Sequence, residues 1–232
     1  IYITEKYSVS YIYDGSLLKE NISSYNIESD TFVLNNPTKE GYEFVGWYNQ
    51  YEENIDKIQK GSIGDLILKA KYVPISYDIM YDLDGGTTNS NNPSNYNIES
   101  ETITLEYPTK LGYTFIGWNM NGSSKIIKDL LINKGSIGNI SLTANWIPNE
   151  YRIIYILNGG INNINNPAGY VKDNGDTVIY EPSKEGYTFI GWTSYNDSTP
   201  KKELYIENGT QGNLTLTANY IPNEYKIKFD VN

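Results

Sequence analysis

Apolar and polar positions along the chain alternate with period two more often than with the 3.6 of a helix. In the middle of the sequence, YDIMYDL (77–83), TITLEY (102–107), YTFIGW (113–118) and ISLTANWI (140–147) are rich in β-branched and aromatic residues. Gly, Asn and Pro bound these runs, which read as short strands. The pairs Asp14-Gly15, Asp84-Gly85 and Asn158-Gly159 offer the positive φ that tight turns need. Pro37, Pro108 and Pro182 stop a strand and fix a turn before the next one. Strict alternation puts Tyr113 and Phe115 on one face, with a turn or bulge at Gly117 re-aiming Trp118. The stretch IIKDLLINKG (126–135) fits either a short helix or a strand with a Gly stop. The expectation is a mostly antiparallel β unit with at most one short helix.

That unit occurs three times. GYEFVGW (41–47) returns as GYTFIGW at 112–118 and 186–192, so that Trp47, Trp118 and Trp192 stand 71 and 74 residues apart. KGSIGDLILKAKYVP (60–74), KGSIGNISLTANWIP (134–148) and NGTQGNLTLTANYIP (208–222) keep the same beat. So do NNPTKEGY (35–42), EYPTKLGY (106–113) and YEPSKEGY (180–187). The reading is three repeat modules at 1–76 (starting mid-pattern), 77–150 and 151–224, with 225–232 as the first strand of a further copy and the chain as a piece of something longer. A unit of this size buries only roughly 60% of its unfolded surface. The aromatics Tyr42, Phe44 and Trp47 and their counterparts therefore carry much of its core.

Composition narrows the chemistry. The 232 residues hold 18 Lys+Arg against 28 Asp+Glu, a net charge of −10 and a pI near 4.6. An acidic surface disfavours nucleic acid and anionic lipid as partners. The three copies carry −4, −4 and −3, so neighbours repel mildly, which favours an extended array. There is no His, the commonest general base and metal ligand, and no Cys, so neither thiol chemistry nor a disulfide. No apolar run reaches the roughly 18–20 residues of a membrane span, and the start lacks the look of a signal peptide.

YPTKLGYTFIGW, KGSIGNISLTANWIPNEY and IIYILNGG together resemble the Listeria–Bacteroides repeat, also called the internalin B-type repeat. The core P-[ST]-K-x-G-Y-x-F-x-G-W occurs in all three copies. The resemblance implies a mainly β or α+β array of three small β-grasp-like modules, each a sheet of 3–5 strands with at most one short helix. It also implies secretion and display on a bacterial cell surface or wall, as a non-catalytic stalk between other domains of a longer chain. Relatives are associated with host-cell attachment, which makes a host-surface glycan or protein the alternative partner. Many members carry a Trp-Asp-Phe element about ten residues after the tryptophan motif. Here that stretch reads NIDKIQKG, KIIKDLLINKG and KKELYIENG, so the second layer of the core is expected to be built differently.

Candidate sites meet bland readings in turn. Asp82-Leu83-Asp84-Gly85 opens like a calcium loop, but Ile12 and Ile156 stand where Asp82 does, and a turn beside a strand explains it. GSIG, GSIG and GTQG lack the Lys-Ser/Thr ending of a phosphate cradle and read as turn glycines. The carboxylate pairs Glu52-Glu53 and Glu99-Glu101 suit a solvated acidic face better than glycosidase chemistry. Sequon matches at Asn21, Asn121, Asn139, Asn196, Asn208 and Asn213 fit chance in an Asn-rich chain. The loops 87–98 and 161–170 are polar, and with Tyr25, Tyr96 and Tyr170 in register they would give an adhesin one exposed aromatic per copy. Ordinary crossovers explain the same loops. No catalytic, metal or cofactor residue is assigned, and the joints at Ile147-Pro148 and Ile221-Pro222 read as either docked or hinged with limited bending.

Overall fold

The computed structural model describes residues 3–229. Among them there is no helix. The first copy runs through β1 (Tyr7–Ile12), β2 (Ser24–Tyr25), β3 (Phe32–Val33), β4 (Tyr42–Tyr48), β5 (Asn54–Ile55), β6 (Lys57–Ile58) and β7 (Leu66–Pro74). Five of these form one sheet in the order β2-β1-β7-β4-β5, while β3 and β6 pair as a second, two-stranded sheet. The closing strand β7 lies at the centre, antiparallel to β4 but parallel to β1, with Val9 opposite Leu66 and Ile12 opposite Lys69. A parallel pair needs a long crossover. Here everything between residues 12 and 66 is that crossover, including the tryptophan strand and the second sheet. Period-two patterning marks which residues face the core; it cannot say which strands pair in parallel.

The plan recurs. The middle copy has β8 (Tyr77–Asp82), β9 (Asn95–Tyr96), β10 (Ile103–Thr104), β11 (Tyr113–Met120), β12 (Leu131–Ile132) and β13 (Ile140–Pro148). The last has β14 (Glu150–Ile156), β15 (Gly169–Val171), β16 (Thr177–Ile179), β17 (Tyr187–Ser194), β18 (Asp197–Lys201), β19 (Leu204–Ile206) and β20 (Leu214–Pro222). The sheet orders are β11-β13-β8-β9 and β15-β14-β20-β17-β18, with the small sheets β10-β12 and β16-β19. The protein is mainly β, a tandem of three small mixed-sheet modules.

A bulge makes the tryptophan motif work. Register slips between Phe44 and Gly46 against β7, and between Phe189 and Gly191 against β20. In a regular strand, residues three apart face opposite sides. The inserted residue instead brings Phe44 and Trp47 to 5.8 Å, edge to face, and Phe189 and Trp192 to 5.5 Å. Gly191, at φ +145, is the position that no side chain fits, because a Cβ there would lie 2.5 Å from the Lys201 amide nitrogen. Trp47, Trp118 and Trp192 are fully buried.

The stretch 126–135 is not a helix. Ile127 bridges Trp118, and β12 pairs Ile132 with Ile103 of β10. This is how the second layer of the core is filled without a Trp-Asp-Phe element: Ile58, then Leu130 with Ile132, then Ile206 are buried from the corresponding stretches. The expected opening strand at 225–232 is not a strand over its described part. Tyr225, Ile227 and Phe229 are exposed. β1, β8 and β14 each pair with a closing strand of their own copy. Residues 230–232 lie outside the described residues.

By density of contacts the chain forms two compact units. One holds residues up to 82 with 88–106 and 117–143; the other holds 83–87, 107–116 and everything from 144 onward. The first contains the whole first core, around Val9, Tyr25, Leu34, Trp47, Ile58 and Leu68, together with Trp118 and Tyr81 edge to face at 5.8 Å. The second contains the third core, around Ile153, Tyr170, Ile179, Phe189, Trp192 and Leu216, together with Phe115 against Trp146 at 5.4 Å.

Candidate functional site

The motif P-[ST]-K-x-G-Y builds a projecting tip. In each copy the tyrosine amide donates to the lysine carbonyl three residues back, at 3.1 Å for Tyr42, Tyr113 and Tyr187. The glycine takes positive φ, +76, +79 and +76 at Gly41, Gly112 and Gly186, as the third residue of such a turn requires. The lysine lies over its tyrosine ring, at 4.1, 4.3 and 4.2 Å for Lys39, Lys110 and Lys184. The glycine carbonyl then accepts an amide from the connecting segment: Ile75 to Gly41, Asn149 to Gly112 and Asn223 to Gly186, each at 2.9 Å. The connections expected to dock or hinge are thus tied to the tip.

Two of the three tips are covered. Within the first unit, Tyr42 Oη donates to Glu99 Oε1 at 2.9 Å, and a Cβ on Gly41 would lie 2.6 Å from Ile98 Cδ1 and 3.2 Å from Ile137 Cγ2. The Glu99 carboxylate beside it, with some loss of solvent, holds the Tyr42 phenol above its ordinary value. Within the second unit, Tyr113 Oη donates to Asp173, and Lys172 Nζ donates to the Leu111 carbonyl at 3.0 Å. A Cβ on Gly112 would meet Lys172 Cδ at 2.6 Å and Gln211 at 3.2 Å. The joint therefore has one recipe. A tyrosine hydroxyl meets a carboxylate, and a bare glycine admits the aliphatic part of the preceding residue. It contains no activated nucleophile and no paired acid and base. Sequence reasoning passed over it, although the residue pairs Ile98-Glu99 and Lys172-Asp173 stand in register two places after Tyr96 and Tyr170.

The structure moves the candidate residues to other work. Tyr25, Tyr96 and Tyr170 are not exposed; they are 4%, 4% and 6% accessible. Their hydroxyls donate to the carbonyls of Gly64, Gly138 and Gly212 at 2.5, 2.6 and 2.5 Å. The recurring aromatic and the GSIG-type turn are thus two ends of one internal tie. Asp65, Asn139 and Asn213, just after that turn, accept the amides of Ser8, Asp78 and Arg152 at 2.7, 2.9 and 2.9 Å. The Ser8 amide and hydroxyl hold the Asp65 carboxyl below its usual range. The Asn-rich loops carry a clamp: Asn21, Asn92 and Asn166 accept from the amide and donate to the carbonyl of Asn35, Glu106 and Tyr180, all at 2.7–3.0 Å. A carboxamide so placed substitutes for a strand neighbour.

The acidic pairs come apart. Glu52 bonds Lys71 at 2.5 Å and Glu53 accepts from Asn49 at 2.8 Å, while Glu99 takes Tyr42 and Glu101 takes Lys134 at 2.6 Å. Asp84 pairs with Lys110 at 2.9 Å, at a turn where its φ is +47. No group of three carboxylates able to hold a metal occurs among the described residues. The third copy has a cleft of about 240 Å³ bordered by Trp192, Leu204 and Leu216, with Asp197 and Lys201 paired at 2.8 Å on its wall. That wall is β18. β5 has only two residues, and a single bridge, Trp118 to Ile127, stands there in the middle copy.

The profile of the Listeria–Bacteroides repeat domain matches residues 7–71, 77–145 and 151–219. A putative membrane protein of Evansella cellulosilytica is 29% identical over 84% of this chain and 29% of its own length. Internalin H of Listeria monocytogenes is 29% identical over 64% of this chain and 26% of its own. The chain thus spans less than a third of either relative. Domains 3–4 of a streptococcal cell-surface protein with high-identity tandem repeats (SHIRT) align over 64% of this chain and 99% of theirs, at 15% identity and a TM-score of 0.19. No helix among the described residues is long and apolar enough to cross a membrane. With three matches that fall on the three copies of the tip, the bulged tryptophan strand and the central closing strand, the chain belongs to the Listeria–Bacteroides repeat family.

Proposed function

We propose that these repeats are a non-catalytic spacer of a bacterial surface protein, holding other domains of a longer chain away from the cell wall. The observation that carries the reading is the joint. The same tyrosine–carboxylate bond and the same glycine contact appear twice, at Tyr42–Glu99 with Gly41 and at Tyr113–Asp173 with Gly112. Residues common to the copies therefore serve to hold a copy to its neighbour. The aromatics that a repeated weak binding site would use are buried at Tyr25, Tyr96 and Tyr170. Display outside the cell, on the wall, rests on the family and on relatives named as membrane proteins and as an internalin.

Two measurements test this. Small-angle scattering of the chain should give a radius of gyration well above the roughly 17 Å of a compact protein of this length. A value near the compact one removes the spacer. Labelled protein applied to epithelial cells and a glycan panel should bind no better than a charge-matched control. Saturable binding that falls steeply for a single copy would instead make the segment a multivalent adhesin.

A further inference from the structure

Tension along a chain of copies enters each copy at its first strand and leaves at its last. β7 ends at Pro74 and β8 begins at Tyr77; β13 ends at Pro148 and β14 begins at Glu150. Connections this short leave little slack, so a pull passes from the closing strand of one copy into the opening strand of the next. Within a copy those two strands are parallel neighbours, from Val9–Leu66 to Ile12–Lys69, from Ile79–Ile140 to Asp82–Thr143 and from Ile153–Leu214 to Ile156–Thr217. The pull therefore draws one strand back and the other forward along a shared axis. Bonds between parallel strands are evenly spaced, so all of them take the load together. In an antiparallel pair the same pull would open the ladder one bond at a time.

The end where the load arrives carries extra bonds. Asp65, Asn139 and Asn213 hold the amides of Ser8, Asp78 and Arg152, one residue before the first paired position of each copy. The next amides, of Val9, Ile79 and Ile153, donate the other way, to the carbonyls of Ser23, Ser94 and Ala168 at 2.9, 2.8 and 2.9 Å. The first strand is thus held on both sides where it would begin to slide. Val9, Ile79 and Ile153 are buried together with Leu68, Leu142 and Leu216, so sliding also drags apolar side chains through the core.

We propose that each copy is a mechanical clamp. The parallel first and last strands, locked at the entry end by the Asp or Asn side chain, bear tension along the chain without unfolding. This deepens the spacer reading and rests on it for the source of the load, since a domain held away from a wall passes on whatever pull it meets. Resistance to forced unfolding is a rate, set by the barrier along the pulled direction. It therefore differs between directions in one molecule, whereas equilibrium stability does not.

The chain has no Cys, so introduced pairs of cysteines are the sole handles for single-molecule pulling on the whole chain. Lys6→Cys with Ser76→Cys, both at exposed positions, loads the first copy along β1 and β7. Lys6→Cys with Ile63→Cys pulls at the same end of both strands and peels them apart. Circular dichroism checks that each variant folds. Unfolding along the strands should release roughly 240 Å, the extended length of residues 6–76. The expected rupture force is several times higher along the strands than across them at one loading rate. Asp65→Ala should lower the force along the strands, while Asp65→Asn, the residue of the other two copies, should keep it. Leu34→Ala, in the core but off the ladder, should lower the urea midpoint more than Asp65→Ala and the force less. Equal forces in the two directions overturn the clamp. So does an Asp65→Ala protein as strong as its parent, or a Leu34→Ala protein weakened as much as Asp65→Ala. The spacer stands or falls separately, since its own tests are the scattering of the single molecule and the absence of cell binding.

Discussion

Two regions of each copy, the tie beneath the closing strand and the hairpin after the tryptophan, follow opposite rules. The tie is identical three times: a buried tyrosine hydroxyl on a turn glycine carbonyl, and a carboxylate or carboxamide on the first strand's amide. The hairpin differs each time, with two residues in β5, a single bridge in the middle copy and five residues in β18. The tyrosine bonds of the tie are part-buried, and a carbonyl left without its donor there is costly. The hairpin lies at the sheet edge, where exposed groups can turn to water instead. The part-buried tyrosine donor is the same residue in all three copies, while the hairpin drifts where solvent can take over the bonding.

The comparison can be broken at its anchor first. Trp118→Ala should cost about 3–5 kcal/mol, the usual loss for a large core aromatic, seen as a lower urea midpoint. Hydrogen exchange should quicken around Ile79 and Leu142 while Val9 and Ile153 stay protected. A uniform loss across all three copies would show that the modules fold as one.

Alkali should strike a second set of part-buried tyrosine bonds next. Burial pushes the phenols of Tyr11, Tyr81 and Tyr155 up to about 12 from 10.0. Their hydroxyls donate to Ile22, Pro93 and Pro167 at 2.9 Å. The folded state holds these protons more tightly than the unfolded chain. The stability they contribute is therefore complete below pH 10 and is lost as pH rises towards about 12. Thermal melts taken across that window should fall, and Tyr81→Phe should flatten the fall.

A gentler probe is Tyr96→Phe, which keeps the ring and removes the donor to Gly138. It should cost about 1 kcal/mol in chemical denaturation. The smallest effect belongs to the hairpin. Lys201→Ala breaks the exposed pair with Asp197, which water screens, and should leave the urea midpoint within error of the parent. A larger loss there would place the hairpin among the parts that hold the fold.

Much of this was legible in the residues. The period-two runs became strands. The glycine of G-Y-x-F-x-G-W proved to be the bulge that turns the tryptophan inward, because Phe and Trp three apart can share a face in no other way. The Asp/Asn-Gly pairs of the second and third copies took the positive φ expected of them. Tyr25, Tyr96 and Tyr170 misled, since an aromatic in a polar loop looks exposed until its glycine partner, about forty residues on, is known.

What the sequence by itself determined is the repeat, the faces of its strands and a composition without His or Cys, all of which follow from residue type and local spacing. Only the tertiary structure decided that the first and last strands of a copy run parallel side by side. It alone showed that 126–135 feeds the core as a bridge and a short strand, and that a tyrosine of one copy reaches a carboxylate of the next. Each of these joins residues far apart along the chain. The bond that forms there depends on how backbone and side-chain groups find partners once water is excluded, which no local pattern records.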